Sequence, residues 1–252
     1  MKRLFSIILA ALTLCACGTN TSSNNSDDVA YIQNKGTLIV GVTPFKPMDY
    51  EENGEWIGFD ADLAKCVAED LGVKVEFVSI DWDNKVLELE NKSIDVVWNG
   101  MTLNEANAKA MECTKAYCTN AQTVIVKKGT DTSDLSKLAF SVEAGSAGEE
   151  VASEKNFQFT SLETQADTLL EVQAGTSEAA IIDLIMAGAT IGEGTSYPDL
   201  VIAEELNSEE YAIGCRKGSN LASYIDEALA RYKEDGRLME IAKKYGVDKA
   251  IQ

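Results

Sequence analysis

Apolar positions along this chain follow two alternating periods. Leu38 to Val42 is an unbroken apolar, β-branched run, which predicts a buried strand. It runs into Thr43-Pro44-Phe45-Lys46-Pro47-Met48, where two prolines stop the ladder. Leu63, Ala64, Val67 and Leu71 recur at helical spacing and stop at Gly72. Lys74 to Val78 alternates as a strand, Val86, Leu87 and Leu89 mark a helix, and Ile94, Val96 and Val97 form a further core strand. The order β, α, β, α, β, α predicts a mainly parallel sheet covered by helices. The same alternation restarts near Leu138 to Val142, passes Ala179 to Ile182 and reaches a strand near Leu200 to Ile202, so two α/β units are expected. Tyr211 to Cys215 predicts another strand. Two closing helices follow, one on Tyr224, Ile225, Ala228, Leu229 and Tyr232 and one over Arg237 to Tyr245.

The amino terminus follows neither period. Met1-Lys2-Arg3 precedes an apolar run from Leu4 to Leu14 that is too short to span a bilayer as a stable helix, the pattern of an export signal. It closes on Leu14-Cys15-Ala16-Cys17-Gly18, which resembles the lipobox of bacterial lipoproteins. Ala16 suits cleavage before Cys17, because signal peptidases favour a small residue there. Residues 1–16 are thus read as a signal peptide, Cys17 as the lipidated first residue of the mature chain, and 17–30 as a polar, flexible tether. The expected address is extracytoplasmic, anchored to the bacterial cell membrane through the lipid on Cys17.

Composition narrows the chemistry. The 252 residues carry 22 basic against 41 acidic side chains, a formal charge of −19, which argues against nucleic acid or anionic lipid as a partner. There is no histidine, which removes Ser-His-Asp and Cys-His catalysis, and no CxxC pair, so neither a metal site nor a cofactor is expected. Cys66, Cys113, Cys118 and Cys215 lie in the body of the chain, where an oxidising address permits disulfides and Cys113 with Cys118 could close a small loop. Spacing does not choose between pairing and buried free thiols.

Candidate chemistry gathers at predicted strand ends. In Trp98-Asn99-Gly100-Met101-Thr102, an Asn-Gly turn is read as converting strand to helix, with Thr102 and Glu105 at capping-box spacing. Free amides in a helix's first turn attract carboxylate or phosphate, and a glycine lets the ligand approach the main chain. Ligands of open parallel sheets sit outside the carboxyl ends of strands. Phe45, Trp82, Gly100 with Thr102, Ser146 and Asp183 occupy such positions, a set suited to a small zwitterion.

With those residues in place, the chain resembles the extracytoplasmic solute-binding proteins of polar amino-acid ABC transporters, which have the type II periplasmic-binding fold. The resemblance runs from about Tyr31 to Tyr245. It rests on Asn53-Gly54-Glu55-Trp56-Ile57-Gly58-Phe59-Asp60, Leu63-Ala64-Lys65, Ile94 to Thr102, Glu143-Ala144-Gly145-Ser146-Ala147-Gly148-Glu149 and Ala180-Ile181-Ile182-Asp183. It implies a two-lobed α/β fold, with lobe 1 at 31–121 and 213–252 and lobe 2 at 122–212. Strands crossing near Asn120 to Thr123 and Glu210 to Ile213 would form the hinge.

The resemblance further implies that Asp183 holds an α-ammonium. An α-carboxylate would meet main-chain donors and the hydroxyl at Gly100 and Thr102, and at Ser146 and Ala147, and Phe45 and Trp82 would flank the ligand's side chain. Asn99 and Met101 belong to the same binding segment. Where the family carries an arginine five residues after the threonine, this chain has Asn107, so a charge-assisted bond to a carboxylate is missing. Lys46 and Lys85 are the nearby cations. The implied function is capture of an amino acid or closely related solute and delivery to an ABC permease, by a monomer that closes at its hinge. A ligand-sensing or orphan binding lipoprotein, motivated by Asn107, is the alternative. A cyclohexadienyl-dehydratase-like enzyme, using Glu143 or Glu149 as general acid, is a further one.

Overall fold

The computed structural model describes residues 27–252. The export signal, Cys17 and most of the tether lie outside the described residues.

The described chain opens with helix α1 (Asp28–Lys35), capped by the Asp27 side chain. The expected tether therefore stops short of residue 30, because Asp28 is only 2 % exposed and helical. Strand β1 (Thr37–Val42) follows, then the hairpin β2 (Tyr50–Glu52) and β3 (Glu55–Ile57), helix α2 (Phe59–Leu71), β4 (Lys74–Ser79), α3 (Lys85–Glu90) and β5 (Val96–Thr102). Helix α2 ends at Gly72 in the left-handed conformation, as its apolar spacing predicts. After α4 (Glu105–Ala110) come β6 (Glu112–Cys113) and β7 (Cys118–Asn120).

The chain then enters a second unit with β8 (Gln122–Lys127), β9 (Ala139–Glu143), α5 (Ala147–Glu154), β10 (Gln158–Leu162), α6 (Gln165–Ala174), β11 (Ala179–Asp183), α7 (Leu184–Thr190) and β12 (Leu200–Glu205). It returns through β13 (Glu209–Cys215) and ends in α8 (Leu221–Glu234) and α9 (Arg237–Tyr245).

Two sheets result. The first has the order β4-β1-β5-β13-β6, with β7 also on β13, and the second the order β10-β9-β11-β8-β12. Both are mixed rather than mainly parallel. β1 is parallel to β4 and β5, and β9 to β10 and β11, while β13 and β8 run antiparallel to their neighbours. Those antiparallel strands adjoin the two points where the chain passes between sheets. The return runs through β13, which spans the Glu210–Ile213 expected and pairs with β7 from Glu209 onward.

Helices cover both faces. Val40, Leu63, Trp98, Tyr211 and Ile225 share the larger core, and Val124, Phe140, Val142 and Ile181 fill a second one under lobe 2. Cys66, Cys113, Cys118 and Cys215 are all free thiols, so no loop is closed by Cys113 with Cys118.

A buried ionic node ties the amino end to the carboxyl end of lobe 1. Arg216, 7 % exposed, donates to Asp28 at 2.9 Å, to Asp95 at 3.2 Å and to the Ile94 carbonyl at 2.7 Å. Asp95 also accepts from Lys35 at 2.6 Å and from the Ile39 amide at 2.8 Å. Removing one member of such a node strands opposite charge out of water. Arg216→Ala is expected to lose about 3–5 kcal/mol of stability, read as a lowered urea midpoint at unchanged slope.

Candidate functional site

A cleft of about 380 Å³ opens between the two sheets, and all ten sequence-predicted positions line it: Phe45, Trp82, Asn99, Gly100, Met101, Thr102, Asn107, Ser146, Ala147 and Asp183. Their roles divide once the hydrogen bonds are followed.

The first wall is β5. It does not turn into a helix at Asn99-Gly100 but continues to Thr102 with a bulge. Between the pairs Met101 with Ala212 and Val97 with Gly214, β5 spends four steps where β13 spends two. Gly100 sits at φ +58°, and a Cβ there would lie 2.5 Å from a Phe45 ring carbon, so only glycine fits. Helix α4 starts later than the capping-box spacing suggests. Asn104 caps it, accepting from the Asn107 amide at 2.8 Å.

Two expected ligand contacts on this wall are already occupied. The Gly100 amide donates to the buried carboxylate of Asp60 at 2.8 Å, so it is no free anion donor here. Asn99 is spent as a bracket: its Oδ1 accepts from the Thr43 amide and hydroxyl at 3.0 and 2.9 Å, and its Nδ2 donates to the Thr43 carbonyl and to Asp49. Burial pushes Asp60 up to about 7, and Asp49 lies well above the usual carboxylate range through burial and then the charge of Asp60. Asn107 is engaged as well, donating Nδ2 to the Thr102 carbonyl at 2.8 Å. The Thr102 hydroxyl donates to Glu209 at 3.1 Å.

Phe45 is 2 % exposed and stands edge-on to Tyr211 at 6.4 Å, and Trp82 is 7 % exposed beneath Lys85 Nζ, 5.1 Å from the ring centroid. Of the two lysines, Lys85 lines the cleft, whereas Lys46 lies over the Tyr50 ring. Lys85 Nζ donates to the Trp82 carbonyl at 3.2 Å and, across the cleft, to the Gly145 carbonyl at 3.0 Å. Burial lowers its pKa against the pull of Glu143, Asp83 and Glu149.

The second wall carries the acids. Ser146 caps α5 by accepting from the Glu149 amide at 3.1 Å, as its place before the helix suggests. Glu149 accepts from the Gly145 amide at 2.7 Å and from Ser161. Asp183 ends β11, 5 % exposed. Its Oδ1 accepts from Asn120, from Gln122 at 3.0 Å and from the Tyr211 hydroxyl at 2.6 Å, and its Oδ2 accepts from Gln165. Asn120 and Gln122 also bond Glu209, so Asp183 sits in the polar cluster where the chain crosses between lobes. Burial, then Glu209, pushes Asp183 up to about 7.

Glu143, at the end of β9, is 2 % exposed, and its Oε1 has no hydrogen-bond partner among the described residues. Burial and the charge of Asp183 push it up to about 8. Its position after Val142, at a strand's carboxyl end, is the signal that marks it in the sequence as well. Gln165, Asn120, Gln122 and Tyr211 carry no such local signal. Gln122 and Gln165 reach Asp183 through the packing of β8 and α6 on β11 within lobe 2, and Asn120 and Tyr211 reach it because the two lobes are joined where they are.

Three features draw the lobes together over the cleft: the Lys85–Gly145 bond, a bond from Asn104 to Glu150 at 2.8 Å, and the packing of Gly145 on Asp83. A Cβ on Gly145 would lie 2.7 Å from the Asp83 Cα. The conformation is a closed one.

Comparison with known proteins agrees with this geometry. The sequence profile of the bacterial extracellular solute-binding proteins, family 3, matches residues 38–248. The arginine-binding extracellular protein ArtP of Bacillus subtilis is 29 % identical over 260 residues, covering 97 % of this chain and 98 % of that protein. Among solved structures, a substrate-binding protein of an ABC uptake transporter from Streptococcus pneumoniae with bound histidine has a TM-score of 0.82 at 27 % identity, covering 90 % of this chain and 99 % of that one. The arginine-bound form of truncated ArgBP from T. maritima has a TM-score of 0.75 at 31 % identity, covering 80 % of this chain and 99 % of that one.

The raised carboxylates have a thermodynamic consequence. A buried acid that holds its proton more tightly folded than unfolded stabilises the fold below its unfolded pKa, and that stability is lost as pH rises through the folded value. For Glu143 the window runs from its ordinary value of 4.5 to about 8. Glu143→Gln is therefore expected to stabilise the ligand-free protein by on the order of 1–3 kcal/mol above about pH 8 and to change little near pH 4. Thermal melts of both proteins across that range check it.

Proposed function

The chain belongs to the bacterial extracellular solute-binding proteins of family 3, and from that premise we propose that it captures an amino acid between its lobes and delivers it to an ABC permease. The observation that carries the reading is the cleft itself, closed by bonds between the lobes, with Asp183 buried at its base and tied to both crossing segments. Relatives of nearly the same length are named for binding amino acids, arginine and glutamine among them.

Asp183 is the group that takes the solute's ammonium. Oδ2 has one donor, Gln165, and so retains a lone pair for the ligand. Phe45 and Trp82 are the walls along the solute's apolar part. Ala147, in the first turn of α5 behind the Ser146 cap, offers an amide to a carboxylate, and Thr102 stands opposite. The role first expected of the Gly100 amide falls to these, since Asp60 holds it.

Closure works by differential affinity. A solute that bonds both walls stabilises the closed arrangement and shifts a pre-existing equilibrium toward it. The protein acts as a monomer, held at the extracytoplasmic face of the cell membrane by the lipid on Cys17. No catalytic step enters. Glu149, a candidate general acid, already accepts on both oxygens, and absence of turnover of prephenate and arogenate is the expected result.

Three tests bear on this reading. Asp183→Ala is expected to lower affinity for the bound solute at least about a hundredfold, the equivalent of roughly 3 kcal/mol, by calorimetric titration of the body that follows Cys17. Small-angle scattering is expected to show compaction at saturating ligand; an unchanged radius of gyration would remove closure from the mechanism. Asn107→Arg is expected to strengthen binding of solutes with a free α-carboxylate by about tenfold or more, and no gain would mean that α4 does not face the carboxylate.

A further inference from the structure

The charge of the cleft is one-sided. Glu143, Glu149, Glu150 and Asp183 line it against a single cation among the described residues, Lys85. That lysine is committed to the carbonyls of Trp82 and Gly145. Of the four acids, Glu149 and Glu150 sit toward the start of α5 and have donors, Gly145 and Ser161 for the first and Asn104 for the second. Asp183 has four donors. Glu143 differs from all of these. It is 2 % exposed, it lines the cleft, and Oε1 accepts from nothing among the described residues.

An unpartnered buried carboxylate oxygen costs free energy unless it is protonated or meets a donor. Strands β9 and β11 are parallel neighbours, paired at Phe140 with Ala179 and Ser141 with Ala180, so Glu143 and Asp183 end adjacent strands on the same side of the cleft. A neutral zwitterion brings one ammonium to these two acids. It leaves the other without a counter-charge.

We propose that the solute carries two cationic centres, one held by Asp183 and the second by the free oxygen of Glu143, which makes Glu143 the residue that selects a basic amino acid or the corresponding diamine over a neutral amino acid. This rests on the proposed binding function and names its substrate class. The missing cation at Asn107 fits the same choice, because the site invests its charge in acids rather than in a grip on the solute's carboxylate. Lys85 and Thr43 face Glu143 from lobe 1, and Asp183 and Gln165 from lobe 2. A cationic group placed among them displaces the proton that burial keeps on Glu143, so binding releases protons near neutral pH.

The test is calorimetric titration near pH 8 of the wild type and Glu143→Gln with L-arginine, L-lysine and L-ornithine, with the neutral analogues L-citrulline and L-glutamine, and with agmatine and cadaverine. The wild type is expected to bind at least one dicationic probe about a hundredfold more tightly than its neutral analogue. Glu143→Gln is expected to lose tenfold or more for that probe, with threefold or less change for the neutral one. Titration in buffers of different protonation enthalpy gives the number of protons released, and this number is expected to fall in the variant; a loss of affinity through misfolding would strike neutral and cationic probes alike.

Binding of the amino acids but not of agmatine and cadaverine assigns the second cation to an amino-acid side chain; the reverse assigns it to a diamine. Tight binding of a neutral amino acid with no preference for cations overturns this inference and leaves the binding function standing. An unchanged dication affinity in Glu143→Gln also overturns it. No binding of any probe overturns both.

Discussion

Negative charge held out of water with little positive charge beside it is the constraint on which the cleft depends. Asp183 and Glu143 end adjacent strands, Asp49 and Asp60 lie behind β5, and all four are nearly or completely buried. Each remedy for that burial shapes the site. Asp183 is surrounded by donors drawn from both lobes. Asp60 is met by the Tyr117 hydroxyl at 2.8 Å and by the Gly100 amide. Asp49 takes the Asn99 amide group. Glu143, like Asp49, has an oxygen with no donor among the described residues, and burial holds its proton instead. The four acids thus set the course of the main chain at the binding strand as well as the charge that a solute meets.

Behind the binding wall, this constraint acts as a scaffold. The bulge of β5 at Trp98 to Gly100 is an unusual path for a strand, and three bonds hold it: Gly100 to Asp60, Asn99 to Thr43 and Asn99 to Asp49. Residues that touch a ligand keep their geometry only when their own bonds are satisfied elsewhere, and here the supporting groups come from the loop after β1 and the start of α2. The Arg216 node plays a similar part farther out, fixing α1 and the segment before β5 to the carboxyl end of the chain.

Much of the fold was legible because its signals are local. The apolar runs at Leu38 to Val42 and Leu138 to Val142, the helical spacing from Leu63 to Leu71 and the stop at Gly72 report burial within a few residues of themselves. Strand-end logic brought Phe45, Trp82, Ser146 and Asp183 to one cleft for the same reason. What failed was whatever depends on partners far along the chain. Gly100 and Asn99 read as ligand contacts because Asp60 and Asp49, some forty and fifty residues upstream, give no local sign that they claim those groups. Thr102 with Glu105 matched a capping box, yet Asn104 takes the capping position once β13 has extended β5 to Thr102. The two antiparallel strands were equally hidden, since strand direction follows from the crossing between lobes and not from periodicity.

Asp183 accepts bonds from Asn120 and Gln122, which lie where the chain first crosses between the lobes, and from Tyr211, just after it returns. The proposed point of solute contact and the pivot are therefore a single hydrogen-bonded unit. An exchange at Asp183 that suits a different solute also alters how readily the lobes part, so in this architecture a change of diet and a change of mechanics arrive together. Glu143 lies outside the pivot's bonds, and it is the position where selectivity can drift while the motion stays as it was.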